Sequence, residues 1–354
     1  MTSSSGYFRT RHDDAFALIE TRTQAILLGV FIAALIGLPL AASPFVLDLA
    51  NQVFLAVIGA IALMLLTGYA GQISLGHAGL IGAGAFTTGI LVRELAAPFW
   101  VTLPASGLVG ALIGVVFGLP SLRLRGLYLA VSTLALHFIV VYAGAEYETR
   151  RGYSTGVVIE PPAIGDWVLS DGRAWYVVLG IAAAATMLFA LNLLRTRTGR
   201  AWRAVRGREA VAEALGIDVP RAKLAAFVVS STITSIAGCL FAYYRGFVSA
   251  EAFSLFLTIQ YVAMVIIGGM GSMLGAVLGA VFVVLFPYLI EYLTTVLPTP
   301  ESWANSVFAI NYATFGLVMI LFLVFEPAGL VGIWERVRDY FLLWPFKQRS
   351  AAGR

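Results

Sequence analysis

An all-α, polytopic membrane fold of about ten transmembrane helices is predicted by three features of this sequence. Of its 354 residues 60% are hydrophobic and 12% charged, and the mean hydropathy is +0.89, a composition that no soluble domain of this size tolerates on its surface. Crossing a hydrocarbon core of about 30 Å takes about 20 apolar helical residues, and uncharged runs at 25–47, 100–119, 174–194, 224–244 and 306–325 meet that length. These runs are continuous, whereas barrel strands would alternate over roughly ten residues, so the elements are helices.

Taken in order, interruptions divide the chain into hydrophobic elements near 25–47, 53–67, 70–92, 99–119, 127–143, 174–194, 224–244, 255–270, 274–290 and 306–325. The glycine-rich elements leave a re-entrant arrangement open. Residues 1–24 are polar and mixed in charge. The apolar stretch after them exceeds a signal-peptide core, although Ala41-Ala42-Ser43 loosely resembles a cleavage site, and the reading is a retained first span. Cys239 lies in an apolar span and, as the one cysteine, forms no intramolecular disulfide.

Sidedness follows from charge. With the N-terminus inside, the inner segments collect 18 of the 23 basic residues, eight of them between Arg195 and Lys223, and the outer ones hold Arg93, Arg150, Arg151, Arg173 and Arg245. That partition predicts both termini in the cytoplasm. The predicted layout is a cytoplasmic segment at 1–24, a membrane domain at 25–325 with an outer loop at 144–173 and a cytoplasmic loop at 195–223, and a cytoplasmic tail at 326–354. The pI near 9.2 is thus a matter of membrane side, and no basic patch interleaved with aromatics points to nucleic acid.

Three segments carry more than membrane-spanning character. In GYAGQISLGHAGLIGAGAF (68–86), glycines and polar side chains stand between apolar stretches, which a membrane interior accepts where backbone is buried in protein or lines a wet cavity. Gln72, Ser74 and His77 are therefore pathway candidates. The competing reading is close helix packing on Ser74, Ala78 and Gly82, and for His77 a hydrogen-bonded packing role is favoured over a ligand role. In VAMVIIGGMGSMLGAVLGA (262–280), two helical ridges of small residues are predicted, Gly268, Ser272, Ala276, Ala280 and Gly271, Gly275, Gly279, for close helix contact within the bundle or between subunits.

The third segment, GRAWRAVRGREAVAEALGIDVPRAKLAAF (199–227), is more elaborate than a connector needs to be. Ala210, Val211, Ala214 and Leu215 fall on one helical face and Glu209 and Glu213 on another. Gly216 supplies a C-terminal cap and Pro220 a stop, so a short rigid knob is expected. A basic loop lying on membrane lipid would account for the arginines but not for this pattern.

Together with RLRGLYLAVSTLAL at 123–136, these segments resemble the membrane permease of high-affinity branched-chain amino acid ABC importers, the LivM type, in order and over nearly the whole chain. The resemblance implies an importer permease bundle with a cytoplasmic coupling helix, paired with a second, related permease, two cytoplasmic ABC ATPase subunits and a periplasmic solute-binding protein, in a bacterial inner membrane. It also implies that the 199–227 loop corresponds to the importer coupling motif, an EAA sequence followed by glycine, at Glu209, Ala210, Glu213, Ala214 and Gly216. Here Glu-Ala-Val stands at 209–211 in place of Glu-Ala-Ala. On this reading the outer loop, with Glu146, Glu148, Glu160, Asp166 and Asp171, is either a solvated connector or a docking surface for the binding protein.

The chain lacks the Gly-Lys-Ser/Thr of a phosphate-binding loop, since Lys223 and Lys347 follow Ala222 and Phe346, so ATP is expected to be used by separate subunits. It has no metal-ligand spacing, and no cofactor of its own is expected; His12, His77 and His137 are widely scattered and no catalytic constellation stands out. An ion-coupled secondary transporter would bury ionisable residues in its spans, and here the acidic residues fall in loops or at span ends. A passive channel would need a filter, for which only 68–84 offers carbonyls. The solute class is left open between leucine, isoleucine and valine and other small polar solutes such as urea or amides.

Overall fold

The computed structural model describes residues 22–121, 126–153, 156–164, 167–296 and 307–343. Most of the expected N-terminal segment, Arg123 and Arg125, and the end of the expected tail lie outside these residues. Contacts divide the chain into two units, Met1–Asp48 and Leu49–Arg354.

In the first unit α1 (Arg22–Ala41) ends at a two-residue break, and α2 (Pro44–Leu63) starts there. Ser43 and Pro44 explain the start: the Ser43 hydroxyl accepts from the Val46 amide at 3.4 Å, and proline suits a first helical position. The first expected element, 25–47, is thus shorter, and the second begins at 44 instead of 53.

In the second unit α2 runs into a π-helical turn (Met64–Tyr69) and forms the core, with Ala60 to Leu66 almost wholly buried. The chain then leaves helical conformation until α3 (His77–Leu95). Then follow α4 (Phe99–Ser121), α5 (Leu127–Arg151), α6 (Gly172–Arg195), the surface helices α7 (Arg197–Gly207) and α8 (Glu209–Ala214), and α9 (Val219–Arg245). A 3-10 turn (Ala250–Phe253) leads to α10 (Leu255–Gly268), α11 (Met273–Val296), α12 (Val307–Phe325) and α13 (Gly329–Leu343).

Seven helices are long and apolar enough to cross a membrane, and a bent pair, Tyr312–Phe325 with Gly329–Arg338 at 53°, brings the number to eight. The count of ten is not reached among the described residues. The physical reason at α10 is length, since 14 residues at about 1.5 Å each reach about 21 Å against a core of about 30 Å.

α9 is the central helix, packed along α3 and α4. Its hydroxyls tie it to neighbours, as Ser230 donates to the Ala62 carbonyl at 2.8 Å and Ser235 to the Leu80 carbonyl at 3.0 Å. In an apolar surround such bonds hold helices in register where hydrophobic transfer does not.

The bundle has two distinct ends. At one, Arg93 Nε donates to the Val158 carbonyl at 2.8 Å and Arg151 pairs with Glu94 at 2.9 Å. There too Asn51 Nδ2 donates to the Gly172 carbonyl, and β1 (Val157–Val158) pairs with β4 (Phe247–Val248), the short strands β2 (Ala163–Ile164) and β3 (Trp167–Val168) lying between them in sequence. Residues 144–151, expected in a loop, are the last turns of α5, so the connector proper is 152–171. At the other end α7 lies across the bundle: Trp202 Nε1 donates to the Ala222 carbonyl at 2.9 Å, Arg203 to the Leu194 carbonyl at 2.8 Å, and Arg206 to the Gly68 carbonyl.

Two ridge expectations are corrected. Ser74 precedes α3, so it shares no helical ridge with Ala78 and Gly82. The 262–280 segment is not one helix, because Gly269, at φ +113°, and Gly271, at φ +93°, turn the chain between α10 and α11. Gly268 therefore faces Gly275 and Gly279 across a hairpin of this one chain: a Cβ on Gly279 would overlap the Met264 carbonyl, and one on Gly268 the Gly275 carbonyl.

Candidate solute pathway and coupling site

Residues 70–76 run non-helically with Gln72, Ser74 and Gly76 buried, and their backbone is met both locally, Thr67 Oγ1 donating to the Gln72 carbonyl at 3.0 Å, and by a remote helix. Leu75 N donates to Thr133 Oγ1 of α5 at 2.9 Å, and Ala78 N, in the first turn of α3, to Thr258 Oγ1 of α10 at 3.0 Å. This satisfies amides that a buried helix start would leave unpaired. Gln72 is buried and donates to the Lys223 carbonyl at 3.0 Å, while its Oε1 has no partner among the described residues. Ser74 is buried and its hydroxyl accepts from Gly76 N at 3.3 Å.

His77 opens α3, fully buried, its ring 4.7 Å from that of Tyr261. It hydrogen-bonds the backbone at Gly59, and its Nε2 finds no partner among the described residues. Gly59 is what admits the Tyr261 ring, since a Cβ there would lie 2.5 Å from its Cε1. The three expected pathway residues are thus not one cluster. Gln72 belongs to the α7–α9 end, and His77 lies deeper, against α2 and α10.

Tyr261 also walls a half-open cavity of about 300 Å³ between α2, α9, α10 and α11. Gln52 and Tyr288 close one side, 3.2 Å apart. Arg245, in the last turn of α9, stands over the Phe241 ring at 5.9 Å and pairs with no carboxylate among the described residues. None of these cavity residues is singled out by the sequence, because four elements contribute them. The local signals are polar residues within apolar helices, Gln52 in α2 and Gln260 in α10.

At the opposite end the loop 195–223 folds as α7, α8 and the first turn of α9. α8 is capped by Gly216 at φ +80°, in open space, and Leu215 and Val211 are exposed by 74% and 51%. Ala210 and Ala214 are exposed with them, and Ala212 is the residue turned inward. Glu209 pairs with the buried Lys223 at 2.5 Å. Pro220 does not stop a helix but sits in the first turn of α9, behind Asp218, whose Oδ1 accepts from Arg221 N at 3.0 Å.

A many-helix membrane bundle with an internal non-helical segment, a solute-sized cavity and a capped knob at one end defines a membrane transport subunit. The sequence matches the family described as branched-chain amino acid transport system, permease component, over residues 45–323, and the chain belongs to that family. It is 30% identical over 336 residues to the high-affinity branched-chain amino acid transport system permease protein LivM of Salmonella typhimurium, covering 88% of this chain and 76% of that one. Identity is also 30% over 236 residues to the probable LivM protein of Methanocaldococcus jannaschii, covering 64% and 66%. The L-arabinose transport system permease protein AraH of Escherichia coli is 28% identical over 175 residues, covering 49% and 51%. No solved structure matches the chain.

Proposed function

We propose that this chain is the membrane-spanning permease subunit of an ABC importer in a bacterial inner membrane, with both termini in the cytoplasm. It moves branched-chain amino acids or related small polar solutes. Its partners are a second, related permease, two ATPase subunits that hydrolyse ATP and a periplasmic binding protein. The observation that carries the reading is α8: Ala210, Val211, Ala214 and Leu215 form an apolar face left bare at the end of the bundle that also holds the dense basic loop. A bare apolar face on a capped turn supports a partner protein that covers it.

Coupling then has a physical route. Displacement of α8 is passed to Lys223 through Glu209, and from the Lys223 carbonyl to Gln72 and the non-helical segment that leads to His77. The alternative, ion-coupled transport, calls for ionisable groups buried in the spans; among the described residues no Asp or Glu is buried, and the buried ionisable side chains are His77, His137 and Lys223, apart from tyrosines and Cys239. The experiment is leucine uptake with an uncoupler present and ATP maintained: an ABC importer continues, a secondary transporter stops.

A further inference from the structure

We infer that the cavity bounded by Tyr261 is a solute site for a small aliphatic α-amino acid, with Arg245 holding the carboxylate and Leu257, Met264 and Val283 taking the side chain. This rests on the reading of the chain as a permease and adds a location and a chemistry to it.

The cavity volume of about 300 Å³ lies at the lower limit of small-molecule sites, enough for one amino acid. Its polar groups are unequally placed. Arg245 is the one cation in the lining, at the carbonyl end of α9, where the helix dipole favours a cation. Its fork of donors matches a carboxylate, and no carboxylate of the described residues occupies it. Gln260 and the Tyr261 hydroxyl offer acceptors for an ammonium group, and that hydroxyl makes no hydrogen bond among the described residues.

The aliphatic wall decides among solutes. Urea would leave it unfilled, and a sugar would bury hydroxyls against it without partners. An aliphatic side chain instead gains by covering it. Tyr261 further links the cavity to His77, so a solute seated there would press on the ring that packs against the start of α3.

The test uses the complete transporter in proteoliposomes, with L-leucine as probe and its binding protein supplied. Arg245→Gln and Val283→Trp should each lower leucine uptake about ten-fold or more, equivalent to roughly 1.4 kcal/mol. Arg245→Lys should recover part of the loss. Because Cys239 is buried, Leu257→Cys gives one reactive thiol. Its labelling by a membrane-impermeant thiosulfonate should slow about ten-fold when leucine-loaded binding protein and ATP are added, and not with unloaded binding protein. Labelling of Leu95→Cys, at the same end but away from the cavity, should respond equally to both. Leucine uptake by the wild type, with the Arg245 and Val283 variants within two-fold of it and Leu257→Cys labelled at an unchanged rate, would overturn this site and leave the permease reading standing. Failure of the wild-type complex to move leucine would overturn the substrate class and this site with it.

Discussion

Lys223 Nζ lies 2.5 Å from Glu209 Oε1, with the lysine side chain 7% exposed and the glutamate 32%, so a buried cation is held by a half-open anion. Removing the anion strands the cation. Glu209→Gln is expected to destabilise the protein by about 2 kcal/mol, below the ~3–5 kcal/mol of a fully enclosed pair because water reaches Glu209. The double variant Glu209→Leu with Lys223→Met should recover most of that stability, since neither charge is left unpaired. The readout is thermal exposure of the Cys239 thiol, which is buried in the folded chain. A double variant less stable than Glu209→Gln would contradict the argument.

The α10–α11 hairpin gives a second contrast. Gly279→Leu must push the Met264 carbonyl away, whereas Gly316→Leu in α12 meets nothing within 4 Å. The first is expected to abolish folded yield, and the second to leave it near wild type, because overpacking against backbone cannot be relieved by a rotamer change. Equal yields of folded protein would show that the hairpin opens without cost.

Gly216 separates backbone conformation from contact. With φ at +80° and open space around it, Gly216→Val suffers left-handed strain of about 1 kcal/mol or more, while Gly216→Asn tolerates that region. ATPase recruitment should fall for valine and persist for asparagine. Loss with both, or with neither, would detach α8 from recruitment.

Orientation is testable without partners. A reporter after Arg354 should be cytoplasmic and one inserted in the 152–171 connector periplasmic, since the 18-to-5 division of basic residues predicts that orientation. An external C-terminal reporter would reverse the whole assignment and place α8 out of reach of any ATPase.

How much of this was legible in the sequence varied with the range of the forces involved. Span character needs only local hydrophobicity, so the apolar helices were evident. Residues 70–76 read as helix because part of what holds them out of it, the Thr133 hydroxyl that Leu75 N meets, lies about sixty positions away in sequence. The turn at Gly269 to Ser272 had a local signal, Gly-Gly-Met-Gly-Ser, which was overridden by the regular spacing of small residues. Asp218-Val219-Pro220 likewise carries the signature of a helix start, although a proline after a glycine cap also reads as a stop. The cavity was invisible in sequence, because Gln52, Arg245, Tyr261 and Tyr288 meet only when α2, α9, α10 and α11 pack.

The most direct test of the central claim is leucine uptake into proteoliposomes that hold this chain alone, or this chain with the second permease, the two ATPases and the loaded binding protein. The account predicts uptake only in the complete assembly and only with ATP inside the compartment that α8 faces. Uptake by this polypeptide alone, or uptake driven by an ion gradient without ATP, would contradict it.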